Sequence, residues 1–180
     1  MGRQYDAISP ELADWIRRQH VFFVATAPLA GDGHVNVSPK GLDTLRILDE
    51  RTLAYLDLTG SGIETVAHVR ENGRITLMWC AFEGPPRILR VSGRGTLAAL
   101  DDPRVVGASF PVLPGARGVV VVHADRIADS CGYAVPRYRF EHERDQLVEW
   151  TAKRTDEELA DYRATANARS IDGLPGIPAA

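Results

Sequence analysis

Two short segments carry polar side chains at spacings that could hold a cofactor. The first segment, His34 to Gly41, reads HVNVSPKG, and its Asn36, Ser38 and Lys40 recur at every second position. In a strand such side chains point to the same face, so an amide, a hydroxyl and an ammonium group would form a row. This row suits a ring system with many acceptors and an anionic end. The same alternation is also typical of a half-exposed strand that faces solvent.

The second segment, Asp57 to Thr65, reads DLTGSGIET and runs from a strand end into a helix start. Backbone N–H groups at a helix N-terminus, beside the hydroxyls of Thr59, Ser61 and Thr65, suit a phosphate monoester. A capping box formed by Ser61 and Glu64 would explain the same pattern without any ligand. The segment lacks the Lys-Ser or Lys-Thr pair that ends a Walker loop, so it is not one.

The remaining reactive side chains do not form a catalytic pattern. The five histidines and two cysteines show no close pair at metal-ligand spacing, so no metal site is predicted. No serine stands in a G-x-S-x-G elbow, and Cys80 lies in an apolar run where its thiol would be inert. Trp79 could stack on a planar cofactor, although large aromatic side chains more often belong to a core.

Length and charge narrow the class of protein. A chain of 180 residues fits one domain with a substantial core. The formal net charge of -3 and the pI near 5.9 argue against a nucleic-acid or anionic-membrane partner. The polar start lacks the apolar run of a signal peptide, no stretch has the length of a membrane span, and two distant cysteines make no disulfide framework. We therefore expect a cytoplasmic protein.

Runs of β-branched and aromatic residues predict six strands. They are His20 to Ala27, His34 to Lys40, Thr52 to Leu58, Arg74 to Phe82, Arg87 to Leu97 and Gly118 to Arg126. Because Pro39 removes a ladder donor, the second of these strands is expected at a sheet edge or at an opening. Gly93 and Gly95 predict a bend in the fifth.

Helix signals are few and lie outside these strands. Helix starts are predicted at Ser9-Pro10, at Ser61 and at Asp102-Pro103, with two short helices between His142 and Asn167, the second opened by a capping box from Thr155 to Glu158. Strands and helices do not alternate, which excludes a doubly wound sheet. The pattern instead predicts a mainly β, α+β fold: a six-stranded antiparallel barrel with peripheral helices. Residues 1–169 are expected to form this single domain, and residues 170–180 an irregular tail or an arm over a partner subunit.

The order of these segments resembles the pyridoxamine 5'-phosphate oxidase-like FMN-binding family. The resemblance runs from Val21 to Arg139 and includes VNVSPKG, DLTGSG, RENGRITLMW, RVSGRG and SCGYAVPRY. It implies a split β-barrel homodimer with two FMN sites at the subunit interface, each using residues of both chains. The resulting candidate cofactor-binding residues are Asn36, Ser38, Pro39, Lys40, Gly41, Thr59, Gly60, Ser61, Thr65 and Trp79.

The resemblance also assigns roles within this set and exposes one departure. Residues 38–40 would lie along the flavin, and Thr59, Ser61 and Thr65 would lie near its ribityl phosphate. Better-known members carry Arg or Lys around the positions of Ile63 and Thr65, where this chain has neither. Lys40, together with helix N–H groups, would then have to hold the phosphate.

By this resemblance the chain is predicted to be an FMN-dependent oxidoreductase of unknown substrate, in which the flavin carries the electron chemistry. A true pyridoxamine 5'-phosphate oxidase is not expected, because no clear second basic cluster for a substrate phosphate is visible. The alternative is a non-catalytic protein that binds or stores a flavin, the deazaflavin F420 or haem. A cofactor-free dimer with a purely structural barrel is the third possibility.

Overall fold

The computed structural model describes residues 2–177 and is built on one antiparallel sheet of eight strands. The strands are β1 (Gln4–Tyr5), β2 (Phe22–Thr26), β3 (Asn36–Lys40), β4 (Leu45–Ile47), β5 (Thr52–Leu58), β6 (Arg74–Cys80), β7 (Ile88–Ala98) and β8 (Ala116–Ser130). Seven of them follow the order β3-β2-β6-β7-β8-β5-β4, and β1 pairs with β8 outside this path.

The mainly β fold is confirmed, with two more strands than the six expected. β1 and β4 have only two and three residues, which is too short to show the period of two used in strand prediction. They form on partners that are already in place, since β1 pairs with β8 and β4 pairs with β5. β3 lies at a sheet edge, as Pro39 predicted.

Four helices surround the sheet in the described part of the chain: α1 (Pro10–Arg17), α2 (Glu64–Asn72), α3 (Gln146–Ala152) and α4 (Asp156–Ala166). The predicted caps of α1 and α4 are confirmed, because Ser9 accepts a hydrogen bond from the Leu12 N–H and Thr155 with Glu158 forms a capping box. The helix predicted at Asp102-Pro103 is wrong. Only a 3-10 turn follows there, at Val106–Ala108, in a stretch that Gly and Pro interrupt.

The main core lies on one face of the sheet and is closed by α1. Its fully buried side chains include Val24, Leu53, Tyr55, Leu77, Trp79, Leu89, Val91 and Val122. β5 is buried on both faces, because Ala54 and Leu56 pack into a second cluster with Val119 and Val121. β5 is therefore a rigid support for whatever stands at its end, Asp57 included.

The pairing of β7 with β8 shifts register between Ser92 and Gly93. A side chain at this position would overlap the backbone carbonyl of His123, so the close approach of the two strands requires glycine. The bend predicted in this strand stays a prediction.

The chain beyond α4 returns to α2 as an irregular segment. Asp172 accepts a hydrogen bond from the His34 backbone N–H at 2.8 Å and contacts the His34 ring at 2.6 Å. The Ile171 N–H donates to the Glu64 carboxylate at 3.3 Å. Residues 178–180 of the predicted tail lie outside the described residues, and its separation from residues 1–169 stays a prediction. No helix within residues 2–177 is long and apolar enough to cross a membrane.

Candidate cofactor-binding site

A cavity of about 310 Å³, called the small cavity below, lies between β3 and the start of α2. The side chains of Asn36, Ser38 and Lys40 share one face of β3 and line this cavity, as their spacing predicted. Its other wall consists of Asp57, Leu58, Gly60, Ser61, Gly62, Ile63, Glu64, Thr65, Val66 and Arg117. The two segments singled out in the sequence therefore meet in space.

The start of α2 faces the small cavity without a side-chain cap. The helix begins at Glu64, and its N-cap residue, Ile63, makes no side-chain capping hydrogen bond. The capping box predicted from Ser61 and Glu64 is therefore wrong: the Glu64 carboxylate instead accepts from the Ile171 N–H, supplied by the C-terminal segment. Free N–H groups and the positive end of the helix dipole make this end of the cavity suitable for an anion.

A buried ion pair between Arg117 and Asp57 forms the back of the small cavity. The Arg117 Nε lies 2.7 Å from Asp57 Oδ2, with side chains only 5% and 8% exposed. Arg117 also donates to the Gly62 carbonyl and to the Asn167 side chain, and Asn167 donates to the Gly60 carbonyl. These contacts bind the loop before α2 from behind and take up two of its carbonyl oxygens.

Lys40 is the cation that remains available to a ligand. Burial lowers the pKa of Lys40, the nearby Asp57 carboxylate opposes this shift, and Arg117 reinforces it. The ion pairs formed among residues 2–177 do not include Lys40, whereas Arg117 is neutralised by Asp57. An anionic group entering the cavity would supply the partner that the Lys40 ammonium lacks.

A second cavity of about 670 Å³, called the large cavity below, lies beyond Lys40. Pro39, Lys40 and Gly41 form one wall, and residues 138–144, named here the cover segment, form another. The Phe140 ring stacks on the His20 ring, with centroids 3.7 Å apart and planes 8° from parallel. Lys40 lines both cavities.

The turn after β3 carries backbone strain beside the large cavity. Leu42 and Asp43 both have positive φ angles, 62° and 53°, which costs a non-glycine residue about 1–3 kcal/mol. The Leu42 N–H donates to the Glu143 carboxylate at 3.4 Å, and the Thr44 hydroxyl donates to the Gly41 carbonyl at 2.7 Å. These contacts hold the turn and join it to the cover segment.

Two of the sequence-predicted residues lie apart from both cavities. Thr59 is fully buried, and its hydroxyl donates to the Gly115 carbonyl and accepts from Arg163. Trp79 is fully buried in the main core, where it stacks on Phe22. The other eight predicted residues line one cavity or both.

Arg117 is the residue that the sequence reasoning missed. The predicted sixth strand began at Gly118, one residue after Arg117, whereas β8 begins at Ala116 and includes Arg117. The available signal was an arginine directly before a long apolar strand, together with an aspartate at the end of another strand. The register of β5 on β8, which pairs Asp57 with Gly118, brings the two charges together.

We predict that Asp57→Asn destabilises the protein by about 3 kcal/mol, because it leaves the Arg117 charge buried without a counterion. The matched control is Asp14→Asn, which removes an equally short pair with Arg17 whose side chains are both 63% exposed, so we expect a change below about 0.5 kcal/mol. Denaturant unfolding of both variants measures the difference. Equal losses of stability would contradict the structural role given to the pair.

Comparison with known proteins places the chain in a family. The family model for pyridoxamine 5'-phosphate oxidase matches residues 8–131. The pyridoxamine 5'-phosphate oxidase family protein ustO of Aspergillus flavus is 38% identical over 98% of this chain and 78% of its own.

Solved structures support the fold. HupZ of Group A Streptococcus superimposes with a TM-score of 0.51 at 23% identity, over 67% of this chain and 91% of its own. A candidate pyridoxamine 5'-phosphate oxidase of Lactobacillus delbrueckii superimposes with a TM-score of 0.50 at 19% identity, over 69% of this chain and 98% of its own chain. At these identities the likeness concerns the fold alone, a split barrel. The family match and the identity to ustO together show that the chain belongs to the pyridoxamine 5'-phosphate oxidase family.

Proposed function

We propose that this protein binds FMN and acts as a flavin-dependent oxidoreductase. The observation that carries the proposal is the position of Lys40, which lines the small and the large cavity at once. In this proposal one elongated ligand spans both cavities past Lys40, with an anionic end at the start of α2 and a ring system beside Pro39 and Gly41. FMN has this shape and charge distribution.

The small cavity supports a phosphate end. The uncapped first turn of α2 supplies N–H groups, Ser61 supplies a hydroxyl, and Lys40 supplies a positive charge without an ion-pair partner among the described residues. Glu64 opposes an anion, but its carboxylate is turned to the Ile171 N–H. This set replaces the Arg or Lys that is absent at positions 63 and 65.

The large cavity supports the ring and a substrate. Its volume lies within the range of about 300–1,000 Å³ typical of small-molecule sites. Its aromatic side chains can pack on a planar group. A bound flavin would supply the electron transfer, and the protein would orient it and exclude water.

The substrate that we propose is not pyridoxamine 5'-phosphate, which needs a second phosphate site. Three arginines do line the large cavity, but three glutamates line it as well: Arg18, Arg139 and Arg144 beside Glu83, Glu141 and Glu143. The charges there nearly balance, which favours a substrate with little net charge.

The first test is the absorption spectrum of the purified protein, alone and after incubation with FMN and removal of free ligand. We expect the two flavin bands in the near-ultraviolet and blue, shifted from those of free FMN because the ring enters a less polar site. A haem Soret band, or a protein spectrum that stays without flavin bands after incubation, would contradict FMN binding.

The second test is Lys40→Ala. Loss of a charge-assisted contact of about 1.5–3 kcal/mol predicts FMN affinity roughly 10- to 150-fold weaker. The chain has one other lysine, Lys153, which directly follows α3, is 75% exposed, pairs with Glu149 and lines neither cavity, so Lys153→Ala is the matched control. Fluorescence titration with FMN measures both. Equal affinity in the two variants would refute the role of Lys40.

We also propose that the protein is a homodimer through the outer face of β3. Val37 in this edge strand is 60% exposed, and Val35 just before the strand is 70% exposed, an apolar edge that single subunits avoid. We expect the wild type to be dimeric by light scattering and Val37→Asp to be monomeric with weaker FMN binding. Val112→Asp, at a fully exposed valine in a loop, should stay dimeric. A monomeric wild type would refute this interface.

A further inference from the structure

A chain of hydrogen bonds runs from the small cavity into the protein interior. The Asn36 amide nitrogen donates to the Thr26 hydroxyl at 3.1 Å and to the Thr65 hydroxyl at 3.0 Å. The Thr26 oxygen lies 3.0 Å from Nδ1 of His68. Thr26, Thr65 and His68 are all buried, His68 completely. Solvent therefore does not offer these groups alternative partners.

Counting the available hydrogens shows which group donates in each bond of this hydrogen-bond chain. The Asn36 amide has two hydrogens, and both are taken by the threonine hydroxyls. Thr26 accepts one of them, so its own single hydrogen is left for Nδ1 of His68. His68 must then accept at Nδ1 and carry its hydrogen on Nε2. With the amide rotated by half a turn, every bond in the chain would reverse.

His68 carries a single ring hydrogen. The surrounding carboxylates, Asp172, Glu64 and Glu71, attract a proton on the ring. Burial nevertheless lowers the pKa of His68, so the ring is neutral near pH 7 and has a single hydrogen to place. Nε2 is buried without a hydrogen-bond partner among the described residues.

We propose that His68 is a positioning residue: acting through Thr26, it holds Asn36 with its carbonyl oxygen toward the small cavity, where that oxygen accepts a hydrogen bond from a ligand hydroxyl. This inference rests on the proposed FMN site in naming the ligand. The Asn36 oxygen can only accept, and would repel a phosphate oxygen. Farther along β3, Ser38 has a buried hydroxyl without a partner among residues 2–177, and Lys40 can only donate. Asn36 therefore accepts from the ribityl hydroxyl next to the phosphate, and Lys40 binds the phosphate.

The direction of donation along the hydrogen-bond chain is tested without any ligand. Long-range ¹H–¹⁵N NMR of imidazole nitrogens distinguishes the two neutral tautomers and the protonated ring. We expect the His68 ring of the free protein to be neutral at pH 7 with its hydrogen on Nε2. A hydrogen on Nδ1, alone or together with Nε2, would overturn the proposal. Because no flavin is present, this result stands whether or not the protein binds FMN.

The link from His68 to the ligand is tested with Thr26→Val, which removes the connecting hydroxyl. We expect a mixture of tautomers at His68 and FMN affinity about 5- to 10-fold weaker, as for one hydrogen bond. Thr76→Val is the matched control, since the Thr76 hydroxyl also bonds a side chain, Ser92 at 2.9 Å, but lines neither cavity. It should change neither measurement. If Thr26→Val leaves the tautomer and the affinity at the values of this control, the proposal is wrong.

Riboflavin separates hydroxyl recognition from phosphate recognition, because it has the ribityl hydroxyls of FMN without its phosphate. We expect Thr26→Val to weaken riboflavin and FMN by the same factor, and Lys40→Ala to weaken FMN alone. A Thr26→Val effect confined to FMN would place the Asn36 contact on the phosphate and refute the inference. A wild type that binds neither flavin would refute the FMN site and leave the tautomer result as the test of the hydrogen-bond chain.

Discussion

The candidate site depends on the ion pair between Arg117 and Asp57. It joins the start of β8 to the end of β5, and the same guanidinium reaches the Gly62 carbonyl and the side chain of Asn167 beyond α4. Four parts of the chain thus meet at one buried group. Because charges so little exposed cannot be left unpaired, they hold the loop before α2 in one place. The helix start can remain uncapped and open to a cavity because that loop is bound from behind.

This use of Arg117 decides the electrostatics of the site. Its charge is neutralised by Asp57, so it holds the cavity in shape and adds little to the attraction for an anion. Lys40, on the opposite wall, has no ion-pair partner among the described residues and lines both cavities. In the proposed FMN site a single lysine with helix N–H groups would therefore hold the phosphate.

Much of this arrangement was visible in local patterns. Asn36, Ser38 and Lys40 share a face because side chains alternate along any strand, and Pro39 marked the edge because it cannot donate to a neighbour. The tail of the chain was less predictable. Glu64 has the spacing of a capping residue after Ser61, yet it bonds Ile171, more than a hundred positions away. Local signals do not report such a competitor, and the same holds for Thr59, whose hydroxyl is taken by Gly115 and Arg163.

The sequence by itself determined the mainly β class, the six longer strands and the two polar segments, because period, turn residues and helix caps are local properties. Only the tertiary structure decided which strands pair, and therefore that Arg117 would meet Asp57 and that Asn36 would reach His68 through Thr26. Tertiary packing also places Trp79 in the core, away from the cavities. Contacts between distant positions depend on sheet register and on which side chains compete for burial, and neither is encoded in any one segment.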